Sequence, residues 1–309
     1  MISALVFSVS AAFCSAMSNL FFRRNGNFSS QNLNPSAYLM LFYGFSFLLS
    51  ILFYPAIWTT KINFIMIGVG ICVGLLSSFL MLLTARAIKK GPSGLTFAFH
   101  NASAIFPGVL LFVIFGSSFG FSLTLLQVAG MILVLSGLFG GAIKEVVPSS
   151  QEKKSTSQVN ASLSWLKYAI GCFIVQILAL TFIQGRCIFF ECSGWLSAAA
   201  ADDIWFMPAQ FGAAFLMQAI LFVKENASIG LKEIRHSICG GIANFAATYQ
   251  LLLATKLALP LEKAILFPCF SVTSMILCNL WANKLYGENF NWLTNIICAI
   301  GIFMASVQL

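Results

Sequence analysis

Long stretches without any charged residue are the feature that most limits how this chain can fold. They cover residues 1–22, 25–60, 62–85, 91–143, 168–185, 204–223, 237–255, 264–283 and 289–309. A helix that crosses the hydrocarbon core of a bilayer needs about 20 consecutive apolar residues. The stretch 91–143 is long enough for two such helices and contains the break "FGSSFG". The sequence therefore predicts ten transmembrane helices.

The composition agrees with a membrane environment. Of the 309 residues, 59% are hydrophobic and 8% are charged, whereas about 25% of the residues in soluble domains are charged. Inside a bilayer the backbone must satisfy its own hydrogen bonds, which favours helices. We therefore expect an all-α, multi-pass integral membrane protein, located in the cytoplasmic or inner membrane if its source is bacterial.

The 17 Lys and Arg residues are distributed unevenly among the predicted loops. The loops that follow the second, fourth, sixth and eighth segments contain only Lys61, Arg186, Lys256 and Lys263. All other basic residues lie on the opposite side, which is typical of the cytoplasmic side of a membrane protein. We expect both termini on the side with few basic residues. No basic face or base-stacking motif accompanies the net charge of +8, so we expect no nucleic-acid partner.

A polar connection divides the chain into two halves. Residues 144–164 are rich in Ser, Gln and Lys and contain no aromatic residue, which is typical of a flexible linker. The expected organisation is a first five-helix repeat over 1–143, the linker over 144–164 and a second five-helix repeat over 165–309.

The two halves show similar patterns. The first contains "ICVGLLSSFLMLLTARAIKKGPSGLTFAF" from Ile71, and the second contains "ICGGIANFAATYQLLLATKLALPLEKAILF" from Ile238. In both, a helix rich in small residues ends near a basic residue and a proline opens the next helix. Because five is an odd number, consecutive five-helix repeats must have opposite orientations in the membrane. The sequence therefore predicts two inverted five-helix repeats, an architecture common among secondary transporters.

These features resemble the drug/metabolite transporter superfamily, in particular its ten-helix EamA-type members. The resemblance is carried by "LLTARAIKKGPSGLTFAF", by "LLLATKLALPLEKAILFP" and by the Gly-Glu joint of Gly287 and Glu288 before the last helix. The corresponding joint of the first half, "FGSSFGFS", lacks the glutamate. The resemblance implies two EamA-like repeats and a carrier of metabolites or drugs.

His100 and Asn101 stand out because they lie inside an apolar segment. If one helix spans 93–115, His100 lies about 10 Å from its start, well below the lipid headgroups. Polar residues at that depth face a protein interior or a water-filled cavity. Lining a substrate cavity is one interpretation of the pair, and a hydrogen bond between helices is the other.

Other polar residues also lie inside charge-free stretches. As a set they indicate a polar interior, although each could instead join two helices. These candidate cavity residues are Asn19, Gln127, Gln176, Gln210, Asn244, Tyr249 and Gln250.

Few acidic residues lie away from polar loops. Asp202 and Asp203 stand at the start of a predicted helix, where helix capping is the alternative to a role in binding a cation or in pairing with Arg186 as a gate. Glu262 follows a proline turn and is a further gating or coupling candidate, with an interfacial anchor as the alternative. Glu288 and the other loop acids are set aside.

The expected function is secondary transport of a small polar metabolite, amino-acid-like or nucleoside-like, such as an S-adenosyl compound. Exchange and facilitated passage are the expected modes. The alternatives are a proton-coupled exporter, a nucleotide-sugar carrier and, more remotely, a membrane-embedded enzyme or an accessory membrane protein. No catalytic or metal-binding motif is present in the sequence, so we expect neither an enzyme nor a cofactor. The expected partners are the substrate and the lipid bilayer.

Overall fold

The computed structural model describes residues 4–25, 35–115, 124–146, 156–186, 203–257, 260–288 and 292–306. Within these ranges the helices are joined by short turns, and there is no β-strand. The helices are α1 (Ala4–Asn25), α2 (Pro35–Phe53), α3 (Phe64–Ile88), α4 (Ser93–Ala102), α5 (Phe106–Phe115), α6 (Leu125–Val146), α7 (Thr156–Gly185), α8 (Asp203–Lys224), α9 (Leu231–Leu257), α10 (Pro260–Tyr286) and α11 (Trp292–Ser306).

Most of these helices have the length and composition of membrane spans. Nine helical segments in the described ranges are long and apolar enough to cross a bilayer, counting Ser93–Phe115 as one, and Trp292–Ala305 is a shorter apolar helix. Apolar side chains such as Val113, Leu216 and Phe303 are more than half exposed, as expected for a surface that contacts lipid. The prediction of an all-helical, multi-pass membrane protein is confirmed.

The fourth segment differs from the continuous helix predicted over 93–115. A 3-10 turn at Ser103–Ile105 separates α4 from α5. Pro107 has no backbone N–H, and its ring crowds the carbonyl four residues earlier, at Ser103. The hydroxyl of Ser103 donates a hydrogen bond to the carbonyl of His100 at 2.6 Å. The α-helical hydrogen-bond pattern is therefore interrupted for one turn directly after His100 and Asn101.

The linker predicted over 144–164 is helical at both of its ends. Helix α6 continues to Val146, and α7 begins at Thr156. The middle of the predicted linker, residues 147–155, lies outside the described ranges. The polar composition therefore did not mark the start of α7. This helix begins about three turns before the charge-free stretch, because polar residues can extend a helix beyond its apolar part.

Contacts between helices of the two halves establish their relative directions. Three couples are antiparallel, because the residue numbers of their contacts run in opposite directions along the two helices. They are α2 with α8 (Ser36 to Glu225, Gly44 to Phe215), α4 with α10 (Gly94 to Asn279, Asn101 to Ser271) and α6 with α11 (Gly130 to Gly301, Gly141 to Thr294).

Four other couples are parallel. Their contacts advance together along both helices. They are α3 with α8 (Gly70 to Phe206, Ser78 to Gln218), α2 with α9 (Tyr38 to Ser237, Ser46 to Asn244), α1 with α10 (Ser8 to Leu266, Asn19 to Cys278) and α7 with α4 and α5 (Trp165 to Thr96, Phe173 to Phe106).

One end of the molecule carries most of the described basic residues. The α1, α3, α8 and α10 helices all end there, and α2, α4 and α9 begin there. Contacts across this end include Ser36 with Glu225 and the ring of Phe21 with the ring of His236. We name it the basic end, because it carries Arg23, Arg86, Lys89, Lys90, Lys224, Lys232, Arg235 and Lys284.

Glycine allows two of these helix pairs to approach closely. A Cβ atom on Gly74 of α3 would collide with the carbonyl oxygen of Gln210 on α8. A Cβ atom on Gly241 of α9 would lie 2.7 Å from the carbonyl oxygen of Phe42 on α2. Small residues at such positions let helix backbones pack in lipid, where no hydrophobic effect draws helices together.

Four clusters of buried apolar side chains lie in the described part of the chain, and the smallest of them joins α3 and α7. The first joins α1, α2, α3, α8 and α9 and includes Phe97 of α4 and Cys278 of α10, and the second joins α4, α6, α7, α10 and α11 and includes Ala87 of α3. The third lies where α1, α7, α9 and α10 meet the turn after α4 and includes Ala104, Leu180, Leu251 and Leu266. We name this third group the central cluster. It positions the candidate site.

Replacing Gly74 by alanine should destabilise the protein by about 1–3 kcal/mol, because the added methyl group forces α3 away from α8. Gly68→Ala is the matched control on the same helix, since nothing lies within 4 Å of its Cβ position. That control should be neutral or stabilising by up to about 1 kcal/mol, because alanine is the better helix former. Thermal unfolding in detergent measures both, and equal effects of the two substitutions would contradict the close packing of α3 on α8.

Candidate functional site

His100 lies in the last turn of α4, directly before the helix break. The residue is half-buried, and its buried Nδ1 atom has no hydrogen-bond partner within the described part of the chain. A polar atom that is removed from water without a partner costs free energy. The Nδ1 atom of His100 therefore does not form the hydrogen bond between helices that was the alternative interpretation of this residue.

The neighbours of His100 along α4 show which way this part of the helix faces. Phe97, three residues earlier, belongs to the first apolar cluster together with residues of α1, α2 and α9. Ala104, in the turn that follows, belongs to the central cluster. Residues three or four positions apart share a helix face. His100 therefore lies on the side of α4 that faces the interior of the bundle rather than lipid.

Asn101 is buried and is held within its own helix. Its side-chain amide donates a hydrogen bond to the carbonyl of Phe97 at 2.9 Å. The hydroxyl of Ser271 on α10 donates to the backbone carbonyl of Asn101. This contact ties the break in the fourth segment to a helix of the second half. Asn101 thus contributes to the geometry of the break as well as to its polarity.

Gln176 and Gln250 face the same central cluster from two other helices. Gln176 on α7 is four residues before Leu180, and Gln250 on α9 is four residues before Ala254; both of these apolar residues belong to the central cluster. The two glutamines are half-buried. The buried Oε1 atom of Gln250 has no hydrogen-bond partner among the described residues. Three helices thus direct His100, Gln176 and Gln250 towards one region.

Two other predicted cavity residues lie along α9. Asn244 donates a hydrogen bond to the hydroxyl of Ser46 on α2 at 3.2 Å. Tyr249 stacks on Phe245, with ring centroids 5.9 Å apart, and contacts Tyr54 at 6.1 Å. Asn244 therefore joins two helices, and Tyr249 belongs to an aromatic group at the end of the molecule opposite the basic end.

Three further candidates lie away from the central cluster. The Oε1 atom of Gln127 accepts a hydrogen bond from the backbone N–H of Thr124 at 2.9 Å, at the start of α6. Gln210 is buried on α8, where its carbonyl lies against Gly74, and its Oε1 atom has no partner in the described ranges. Asn19 is buried on α1, and its amide is 3.6 Å from the sulfur of Cys278.

The predicted gate residues are placed only in part. Arg186 is buried at the end of α7, where its guanidinium donates to the carbonyl of Ile183 at 2.6 Å and to the hydroxyl of Thr255 at 3.3 Å. Asp202 lies outside the described residues. Asp203 begins α8 and Glu262 lies in α10, but the described part of the structure does not include their side chains. The proposed pairing of the aspartates with Arg186 stays a prediction.

Glu288 is the residue that the sequence reasoning set aside and the structure places between the halves. Its carboxylate accepts a hydrogen bond from the backbone N–H of Gly94 at 2.8 Å and another from the hydroxyl of Ser93. Arg23 at the end of α1 lies 3.6 Å from the same carboxylate. The Gly-Glu joint was the available signal, but its contacts involve residues almost 200 positions away, which no local pattern reveals.

A cavity lies at the basic end, next to the contacts of Glu288. It is small, with an interior volume of about 10 Å³, which is room for about one water molecule. Aromatic rings, an amide and a guanidinium line it together. The lining residues are Asn19, Leu20, Arg23, Ser93, Phe97, Cys278, Trp281, Ala282 and Tyr286. Within the described ranges, no three His, Cys, Asp or Glu residues are grouped so that they could hold a metal ion.

Comparisons with known proteins define the fold further. No family model and no curated protein sequence matches the chain. A solved structure described only as the crystal structure of a protein is similar over 98% of this chain and 94% of that chain, with a TM-score of 0.62 and 13% sequence identity. At that identity the likeness concerns the fold alone. The fold and the apolar helices together define the chain as an all-helical, multi-pass membrane protein.

Replacing His100 by leucine should leave the stability of the ligand-free protein unchanged or increase it, because the substitution removes a buried nitrogen without a partner. The matched control on the same helix is Thr96→Val. It removes the acceptor of the Trp165 indole N–H, 2.9 Å away, and should cost roughly 0.6–2 kcal/mol. Thermal unfolding in detergent compares the two variants. A loss of stability in His100→Leu as large as the control's would identify His100 as a structural residue.

Proposed function

We propose that this protein is a secondary transporter that moves a small polar metabolite across the membrane by alternating access, as an exchanger or a facilitator. The observation that carries the proposal is the break in the fourth segment directly after His100 and Asn101. The break lies about midway along Ser93–Phe115 and contacts α10 of the second half through Ser271. Transporter sites are commonly built from such discontinuous helices near the midplane, where two repeats meet.

The packing of the helices supports two repeats of five. Under the proposed repeat, α1, α2, α3, the broken segment α4–α5 and α6 correspond to α7, α8, α9, α10 and α11. Exchanging each helix for its counterpart turns the contact of α1 with α9 into that of α7 with α3. It also turns α3 with α8 into α9 with α2, and α1 with α10 into α7 with the broken segment. All six contacts exist.

The directions of the helices support an inverted relation. Where two counterparts touch, as in α2 with α8, α4 with α10 and α6 with α11, they are antiparallel. Gly74 and Gly241 belong to the matched Ile-Cys-x-Gly segments, and each permits a close backbone contact with the exchange-related helix. These features also support membership of the drug/metabolite transporter superfamily, which we propose together with the function.

The polar groups that face the central cluster indicate the class of substrate. They include the imidazole of His100 and the amides of Gln176 and Gln250, which donate and accept hydrogen bonds without carrying a fixed charge. The guanidinium of Arg186 lies nearby, but it already donates to the carbonyl of Ile183 and the hydroxyl of Thr255. Phosphate groups are usually bound by Arg or Lys. An amino-acid-like or nucleoside-like substrate, such as an S-adenosyl compound, is therefore favoured over a nucleotide sugar.

Proton-coupled export is the second candidate function, because His100 is titratable and lies on the face of α4 towards the central cluster. Histidine changes its charge near neutral pH in its ordinary environment. Transport driven by a pH gradient in liposomes, and lost in His100→Gln, would favour this candidate over exchange or facilitated passage.

A ligand screen tests the proposed function. The purified protein is heated with amino acids, nucleosides, S-adenosyl compounds and nucleotide sugars, each in turn. A ligand present at 100 times its dissociation constant stabilises the folded state by about 2.7 kcal/mol. We expect one class to raise the unfolding temperature, and this shift to disappear in His100→Ala. The other histidine supplies the matched control, since His236 lies at the basic end, and His236→Ala should retain the shift.

Uptake into liposomes then tests transport itself. The stabilising compound, radiolabelled, should enter liposomes that contain the protein. His100→Ala should lower the initial rate by roughly two- to tenfold, since a hydrogen bond contributes about 0.5–1.5 kcal/mol. A compound that binds but never crosses the bilayer would contradict the transport proposal. Absence of any shift with all four classes would contradict the proposed substrate class.

A further inference from the structure

The carboxylate of Glu288 lies where three helices meet at the basic end. Helix α10 ends just before it, α1 ends beside it and α4 begins against it. Gly287 adopts a φ of +64°, a conformation that glycine reaches without strain. Its N–H donates to the carbonyl of Asn283 at 3.0 Å, and the N–H of Glu288 donates to that of Ala282 at 3.2 Å. The end of α10 therefore turns sharply and presents Glu288 to the first half.

The groups that hold this carboxylate belong to the first half of the chain. The hydroxyl of Ser93 and the backbone N–H of Gly94 hold it at the start of α4, where a helix attracts negative charge. Arg23 lies 3.6 Å from it, and its guanidinium is 4.7 Å from the centre of the Tyr286 ring. We name these five residues, Arg23, Ser93, Gly94, Tyr286 and Glu288, the Glu288 cluster.

Three residues of the Glu288 cluster line the cavity at the basic end. Arg23, Ser93 and Tyr286 line that cavity, as does Phe97. Ser93 and Phe97 are four residues apart on α4, and His100 follows three residues later. One side of α4 thus leads from the Glu288 cluster, past the cavity, to the central polar residues.

The strength of the contact is suited to opening and closing. The side chains of Arg23 and Glu288 are 19% and 17% exposed, so water reaches both. Ion pairs that water can reach contribute little to stability, since solvation replaces the interaction when it breaks. The contact also crosses between the two halves, so it must break if the halves separate at this end.

We propose that the Glu288 cluster is the gate of the basic end, and that the structure is closed at this end. This inference rests on the proposed transport by alternating access. When the gate opens, Glu288 leaves the start of α4, Arg23 separates from it, and the cavity connects the central polar residues with the basic side. The negative charge of Glu288 holds the gate closed through Arg23 and the start of α4.

Hydrogen–deuterium exchange of the full chain in liposomes tests the gate without any substrate. The variant Glu288→Gln keeps the shape of the side chain and removes its charge. We expect the amides of 94–97 to exchange about tenfold faster than in the parent. Gly94 donates directly to the replaced carboxylate, so the test depends on Thr96 and Phe97, whose protection reports how often this end opens. The unfolding temperature should stay close to that of the parent.

Glu225→Gln is the matched control. Glu225 also lies at the basic end and also accepts a hydrogen bond from a serine hydroxyl at the start of a helix, that of Ser36 on α2 at 2.6 Å. It is not part of the Glu288 cluster, and its replacement should leave the exchange of 94–97 unchanged. Unchanged exchange in Glu288→Gln, or faster exchange together with a clearly lower unfolding temperature, would overturn the gate and make Glu288 a structural helix cap.

A second variant tests whether the gate must open during transport. Ser93→Cys combined with Glu288→Cys allows a bifunctional thiol reagent to bridge α4 and the end of α10. Bridging should abolish uptake, and removing a cleavable bridge by reduction should restore it. Each single cysteine variant, treated in the same way, controls for reaction with the native cysteines. Undiminished uptake by the bridged protein would overturn the gate.

The failure of the gate and the failure of the proposed function give different results. A parent protein that transports none of the tested compounds, but shows faster exchange of 94–97 in Glu288→Gln, would overturn transport and retain an opening at this end. A parent protein that transports its substrate equally well with and without the bridge would retain transport and overturn the gate.

Discussion

The structure depends on one constraint, which is that hydrocarbon offers no hydrogen-bond partner to the backbone. Every described membrane segment meets this constraint by forming a helix. In the fourth segment the α-helix is interrupted at Ser103–Ile105. There the hydroxyl of Ser103 bonds to the carbonyl of His100, and that of Ser271 bonds to the carbonyl of Asn101. Irregular backbone at membrane depth is tolerated where protein surrounds it. The break is therefore possible because α10 packs against it.

Close packing of helix backbones joins the two halves of the chain. Gly74 and Gly241 let α3 approach α8 and α9 approach α2. Packing, rather than the hydrophobic effect, associates helices in lipid. The same packing directs His100, Gln176 and Gln250 towards the central cluster, although they belong to three different helices. The proposed site is thus a consequence of how the halves fit together.

Much of the local structure could be predicted. The charge-free stretches located the membrane segments, because a spanning helix has a minimum length and excludes charge. The position of the break could not be read from proline alone, since Pro268 lies inside α10 without interrupting it. The fourth segment differs from α10 in that the hydroxyls of Ser103 and Ser271 bond to the carbonyls of His100 and Asn101 next to its break. Gln127 lay in an apolar segment by sequence, yet it bonds to Thr124 at a helix start, because helix ends are poorly defined by composition.

The sequence by itself determined that this chain is helical, crosses a membrane many times and carries polar residues at membrane depth, since these properties follow from the length and spacing of apolar runs. Only the tertiary structure decided which polar residues face one another. Glu288 reads as a loop residue in the sequence, but folding places it against Ser93, Gly94 and Arg23. A helix repeats every 3.6 residues, so it determines neighbours three or four positions away. Contacts between residues nearly 200 positions apart depend on how the helices pack.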